Sequence, residues 1–219
     1  MNLMIFSTIV GYFYLSDNPI FALKYERMNI EKSIEQAIAV KQQMMADVEL
    51  HHKIQQVADA CVKTFVGKGK VLLCGNGGSA SDAQHIAAEL SGRFYYDRDP
   101  LYAEALHVNT SYVTAVANDY AYDEVFARMV KAAGREGDVL IGLSTSGNSA
   151  NVIRAFEEAK IQGMKTVALT GRSGGRLAKL ADHVLKMPSD NTARIQEAHI
   201  LTGHIICEII EETIFPQHD

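Results

Sequence analysis

An α/β fold built on a parallel sheet is predicted by this sequence, on three observations. Short apolar runs of strand length alternate with stretches of helical periodicity from Lys70 onward. Two of those runs, Val71-Leu72-Leu73-Cys74 and Val139-Leu140-Ile141-Gly142-Leu143, end in turns rich in glycine and serine, and each turn opens into a helical pattern. The 219 residues are 47% hydrophobic, enough for one well-buried domain with a helical extension. Alternation of this kind implies parallel strands with helices on both faces.

Residues 1–27 differ from the rest of the chain. Residues 3–15 are apolar and aromatic, are broken by Gly11, and lead into Ser16-Asp17-Asn18-Pro19. Neither the basic residues before such a run nor the cleavage site after it, which a signal peptide needs, is evident. A membrane span takes about 20 mostly apolar residues, and Asp17 and Pro19 interrupt this one. The expectation is an N-terminal extension outside the functional fold, in one reading preceding the true start, with a weak membrane anchor as the alternative. Residues 28–219 then form the functional domain.

Ile30, Ile34, Ala37, Ile38, Met45 and Val48 recur at helical spacing. A second helix is expected over 50–66, with Ile54, Val57, Ala58, Cys61 and Phe65 inward, ended by Gly67-Lys68-Gly69. This pair covers the sheet or packs against another subunit. Strands are expected over 70–74, 103–108, 139–143, 166–170 and 183–187. Helices are expected over 80–93, 111–118, 122–133, 150–162, 176–181 and 193–215.

A net charge of −5 argues against a nucleic-acid surface, which demands clustered Lys and Arg. Cys61, Cys74 and Cys207 lie in apolar contexts without metal-type spacing, so they read as buried free thiols in a reducing cytoplasm.

The two turns are Gly75-Asn76-Gly77-Gly78-Ser79 and Ser144-Thr145-Ser146-Gly147-Asn148-Ser149. Ligands of parallel sheets bind beyond the carboxyl ends of strands, where both turns fall. Glycine lets backbone amides approach a ligand, helix N-termini offer unpaired N–H groups to phosphate, and hydroxyls pair with phosphate or sugar oxygens. A phosphorylated, hydroxyl-rich small molecule suits them. The plain alternative is that Ser144, Thr145, Ser146 and Ser149 cap a helix, but four hydroxyls exceed what one cap requires. Asn118-Asp119 also reads as a simple turn. Arg93 is divided equally between a phosphate contact and a surface ion pair. His51, His52 and His199 read as surface or packing residues, His107 stays undecided, and Gly171 and Gly174-Gly175 shape a loop.

These motifs, together with Asp82-Ala83-Gln84-His85, Glu89-Leu90, Gly92-Arg93, Leu169-Thr170-Gly171 and Arg194-Ile195-Gln196-Glu197, resemble those of the phosphoheptose isomerases, which are sugar isomerase (SIS) domain proteins. The resemblance runs from Met28 to the C-terminus. It implies a three-layer α/β sandwich of flavodoxin-like type, a homotetramer, and conversion of D-sedoheptulose 7-phosphate into D-glycero-D-manno-heptose 7-phosphate, the first step toward ADP-heptose for lipopolysaccharide core. It further implies Asn76, Gly77, Gly78, Glu89, Asn118, Asp119, Ser144, Thr145, Ser146, Ser149 and Gln196 as substrate contacts, and Glu89 with His204 as the acid/base pair. Zinc held by His85, Glu89, Gln196 and His204, one ion per subunit, is implied as well.

The chemistry is consistent with those roles. Moving a carbonyl between adjacent carbons through an enediol needs a base at the carbon-bound proton and an acid at the carbonyl oxygen. Glu89 suits the first role if partly desolvated, and His204 suits the second because its charge changes near neutral pH. Alone, each reads more simply as a solvated or hydrogen-bonded helix residue. Together with two ligand turns, they read as catalytic.

His85 and Glu89 are four apart, on one helix face about 6 Å apart along the axis. Gln196 and His204 are eight apart, about 12 Å of rise and roughly 80° of rotation on a regular helix. One ion is hard to grip from both, so either the helix starts after Gln196 or subunits share the site, and sharing is the favoured reading. Zinc rarely takes an amide oxygen. A metal-free acid/base pair is the alternative. A second function class is a non-catalytic SIS adaptor that associates with the bacterial replication initiator, which the C-terminal Ile214-Phe215-Pro216-Gln217 also resembles. Retention of Glu89 and His204 favours catalysis. A sugar-phosphate-sensing transcription factor would need a DNA-reading helix-turn-helix, and none is evident.

Overall fold

The computed structural model describes residues 30–217, so the expected extension over 1–27 lies outside the described residues. The chain divides between Gln36 and Ala37 into two units, and of the first only residues 30–36, the opening of helix α1 (Ile30–Ala46), are described.

Asp47 separates α1 from α2 (Val48–Val66). Its carboxylate accepts from Leu50 N at 2.9 Å, satisfying one of the unpaired N–H groups of the new helix. The inward face of α2 is as expected: Leu50, Ile54, Val57, Ala58, Cys61 and Phe65 are buried. The stripe marked over 30–48 does not take the first of its two expected roles, covering the sheet. Val40 and Met44 join the core, while Ile38, Met45 and Val48 stay exposed at 49%, 73% and 63%. Two apolar stripes compete along this stretch, and the core takes the one the periodicity did not mark.

The sheet comprises β1 (Val71–Gly75), β2 (Ala103–Ala105), β3 (Val139–Ser144), β4 (Lys165–Thr170) and β5 (His183–Lys186), in the order β2-β1-β3-β4-β5, all parallel. Successive side chains point to opposite faces. Leu73, Ile141, Val167 and Leu185 therefore pack with α2, α3 (Gly78–Ser91) and α7 (Thr192–Ile214). Leu72, Leu140 and Ala168 pack on the other face with α4 (Thr110–Asp119), α5 (Val125–Ala133) and α6 (Ala150–Ile161). This is the three-layer sandwich.

Three boundaries differ from expectation. Strand β2 stops at Ala105, where Val108 N turns back to the Ala105 carbonyl. The helix expected over 122–133 opens as a 3₁₀ turn, Tyr122–Glu124. The helix expected over 176–181 is only a 3₁₀ turn, Leu177–Lys179, a length at which helix nucleation is not repaid.

After β1 the chain leaves to one side to form β2 and returns on the other as β3. The turns following β1 and β3 thus flank the switch point of the sheet, where the crevice of such folds lies. Helix α7, capped by Asn191 accepting from Ala193 N at 3.0 Å, runs along α3. They meet tightly at Gly203, where a Cβ would stand 2.4 Å from Cδ1 of Ile86.

Candidate active site

The switch point is bridged by two amides. Asn76 donates through Nδ2 to Asn151 Oδ1, Asn151 donates back to Asn76 Oδ1, each at 2.9 Å, and Tyr122 Oη donates to Asn76 Oδ1 at 3.1 Å. Asn76 is therefore held in one orientation, with a single Nδ2 hydrogen left for a ligand. Sequence reasoning found Asn76 but missed Asn151 and Tyr122. A buried Asn on the inward stripe of α6, beside Val152, Ala155 and Phe156, was the available signal.

Gly77 has a positive φ of 55° and open space where a Cβ would stand. At Gly78 the neighbour is Gln196, whose Nε2 would lie 2.5 Å from a Cβ there. Gln196, in the second turn of α7, thus meets the first turn of α3 and belongs with the residues of the first ligand turn.

In the second turn Ser144 is 3% exposed and shares a hydrogen bond of 2.9 Å with Ser149. Ser149 stands at the N-cap of α6 yet makes no side-chain cap bond, so the plain capping role does not account for it. Ser146 Oγ accepts from Asn148 N at 3.1 Å. Gly147, at φ 66°, lies so close to the Gly174 carbonyl that a Cβ would stand 2.2 Å from it. This close fit confirms the loop-shaping role of Gly174.

A cavity of about 190 Å³ opens beside this turn, lined by Thr145, Ser146, Gly171, Arg172, Ser189 and Thr192 among others. Arg172 brings a cation to it while bonded to Asp190 Oδ2 at 3.1 Å and to the Pro188 carbonyl at 2.7 Å. It too was missed, although it adjoins Gly171. Asn118 and Asp119 end α4, exposed and bonded to each other at 2.8 Å, and Tyr122 ties the segment after them to Asn76. Arg93 takes part in no ion pair among the described residues, which supports neither of its two readings.

The second half of the site lies between α3 and α7. His85 Nε2 and Glu89 Oε1 are 3.0 Å apart, as the four-residue spacing requires. The ring of His204 meets that of His85 edge-on, with centroids 5.0 Å apart and planes at 78°. Phe94 packs against the other side of His204 at 5.7 Å. Glu89 is partly withdrawn from water, its side chain 24% exposed. Nε2 of His204 is buried without a hydrogen-bond partner among the described residues. Asp82, one turn before His85, has a buried Oδ2 likewise without a partner. Burial pushes its carboxyl above the ordinary range, and His85 opposes that.

Ligand atoms of His85, Glu89 and His204 lie within 4.8 Å of one another, close enough to hold one cation. His204, with an imidazole nitrogen that is buried and unpaired, fits the role of a ligand. Gln196, the fourth ligand that the resemblance implies, lies against Gly78 at the first turn of α3. Helix α7 is unbroken from Thr192 to Ile214, so a helix starting after Gln196 is ruled out. The expectation of subunits sharing the site rested on the eight-residue spacing and on the tetramer that the resemblance implies. A single chain already brings Glu89 and His204 together.

No helix among the described residues is long and apolar enough to cross a membrane. The SIS domain family matches residues 34–171. The phosphoheptose isomerase of Sulfurimonas denitrificans is 53% identical over 192 residues, covering 88% of this chain and 96% of that protein. Solved phosphoheptose isomerases of Neisseria gonorrhoeae (TM-score 0.79, 45% identity, 84% of this chain and 97% of that one) and Francisella tularensis (TM-score 0.80, 42%, 84% and 96%) share the fold. These relatives are named as isomerases, which leaves the adaptor reading without support. With a family match over more than half its length and relatives this similar over nearly all of theirs, the chain belongs to the SIS-domain family and, within it, to the phosphoheptose isomerases.

Proposed function

We propose that this chain interconverts D-sedoheptulose 7-phosphate and D-glycero-D-manno-heptose 7-phosphate through an enediol. The observation that carries this reading is the meeting, within one chain, of the His204 ring and the Glu89 carboxylate on the helix that opens at the first ligand turn. Glu89 removes a proton from C1 of the ketose while His204 donates one to the C2 oxygen, giving the enediol. Loss of the O1 proton and return of a proton to C2 then complete the aldose, with no net gain or loss of atoms.

Thr145, Ser146, Ser149 and Ser144, with Gln196 and the first N–H groups of α3 at Gly77 and Gly78, hold the phosphate end. Asn76, Asn118 and Asp119 face sugar hydroxyls. His85, Glu89 and His204 are the residues that would hold zinc, which when bound polarises a carbonyl oxygen as a Lewis acid. We further propose a cytoplasmic homotetramer in which Glu89 and His204 of one chain form the acid/base pair and neighbouring subunits share in completing each site, and a product that feeds ADP-heptose synthesis. The exposed stripe of Ile38, Met45 and Val48 supports assembly with further copies.

Incubation with sedoheptulose 7-phosphate in D2O, followed by NMR, tests the reading through both product formation and deuterium entry at C2. Glu89→Gln and His204→Gln each lower kcat by about 10²-fold or more. An intact wild-type protein that forms no aldose, or two variants as active as wild type, would overturn it.

A further inference from the structure

Glu211, two turns beyond His204 on α7, and Arg98 form an ion pair at 3.0 Å with side chains only 1% and 2% exposed. Buried pairs of this kind are poor stabilisers, because desolvating both charges offsets most of their attraction. What distinguishes this pair is what it touches. Nη2 of Arg98 donates to the backbone carbonyl of Glu89 at 2.8 Å. Nη1 donates to the carbonyls of Leu90 at 2.8 Å and of Gly92 and Asp99 at 3.0 Å. The carbonyls of Glu89 and Leu90 belong to the last turn of α3, which has no intrahelical partner for them, and a cation there also meets the negative end of the helix dipole.

The carboxylate works on the opposite segment. Glu211 accepts from Phe94 N at 3.0 Å and from Tyr95 N at 2.7 Å. Tyr96 Oη adds bonds to the carbonyls of Glu211 at 3.2 Å and Phe215 at 2.8 Å. Phe94, fixed in this way, is the ring that packs on His204. Burial opposes ionisation of Glu211, but the Tyr95 and Phe94 amides and the guanidinium outweigh it and hold the carboxyl below the usual carboxylate range.

We infer that Arg98 and Glu211 are positioning residues for the isomerisation, one fixing the helix end that bears Glu89 and the other the ring that orients His204. The inference rests on the proposed reaction. Neither side chain touches the reacting atoms. Their pairing makes the separation of base and acid a property of one buried node, and a displacement of about 1 Å at such a pair costs on the order of 10²-fold in rate.

Arg98→Lys keeps the charge but loses the fork that reaches four carbonyls, and Glu211→Gln keeps the shape but turns donors toward Tyr95 N. In both, the expected result is a cooperatively folded protein with kcat lower by about tenfold or more and KM within about threefold, since the phosphate end is untouched. The His204 imidazole resonance, assigned by its loss in His204→Gln, shifts in both. Folded variants with wild-type kcat and an unmoved resonance overturn the inference. Should neither variant fold, Phe94→Leu, which keeps its backbone bond to Glu211, decides it by the same two readouts. An inactive wild type would sink the proposed reaction alone, and the His204 resonance would still decide the positioning role.

Discussion

Gly203→Ala tests whether the α3–α7 approach sets the site. Glycine in the middle of a helix costs about 0.5–1 kcal/mol relative to alanine, so on propensity alone the substitution should stabilise the protein. The structure opposes this. The new Cβ would stand 2.4 Å from Cδ1 and 2.6 Å from Cγ1 of Ile86, itself only 2% exposed. Carbon atoms rest about 3.5–4.0 Å apart, so the helices must part by about 1 Å or Ile86 must leave its rotamer. Overpacking of this kind costs about 1–3 kcal/mol, and a net loss of about 1–2 kcal/mol is expected after the propensity gain.

Ile86→Ala removes both offending atoms and leaves the nearest, Cβ, at an ordinary 3.9 Å. In that background Gly203→Ala should become stabilising, by about 0.5–1 kcal/mol. The coupling is read from urea unfolding of the four proteins. Because these residues adjoin His85 and His204, kcat of Gly203→Ala should also fall tenfold or more while KM moves little, a displacement of about 1 Å sufficing for that. An equal cost of Gly203→Ala in both backgrounds, or unchanged kcat, would refute the argument.

Burial sets two further outcomes. His199 is fully buried, and burial lowers its pKa to about 4, the Thr170 backbone opposing only in part. Below pH 6.5 the unfolded chain binds a proton that the folded one refuses, so stability present above pH 6.5 is lost as pH falls toward 4, by about 3 kcal/mol in all. His199→Leu should flatten that part of the unfolding profile, and an unchanged slope would contradict it. The thiols of Cys61 and Cys74 are pushed up to about 12 by burial, and that of Cys207 is also raised. Native protein at pH 8 should resist iodoacetamide and react at all three only when unfolded, and rapid labelling of the native state would count against the described core.

The strands were legible because a sheet covered on both faces needs continuous apolar runs, and β1 and β3 are such runs. The role of helix α1 stayed open between core and subunit contact because apolar residues lie on two of its faces, and only the packed structure shows which one the core takes. That His85 and Glu89 share a helix face was legible from their four-residue spacing, whereas their role came from the resemblance. Nothing local tells that His204 meets them, since that contact depends on how close α7 comes to α3 at Gly203. Asn151, Tyr122 and the Arg98–Glu211 pair were hidden for the same reason, each bonding to an element remote in sequence.

The reciprocal amide bridge and the serine turn sit at the end of the sheet, on turns and the first turn of α6, whereas Glu89 and His204 ride on the flanks of two helices. Grip and reactivity therefore occupy separable parts of one scaffold. If the proposed phosphate contacts hold, a descendant that lost those two side chains keeps its grip on a phosphorylated sugar, and a receptor lies only a few substitutions from a catalyst.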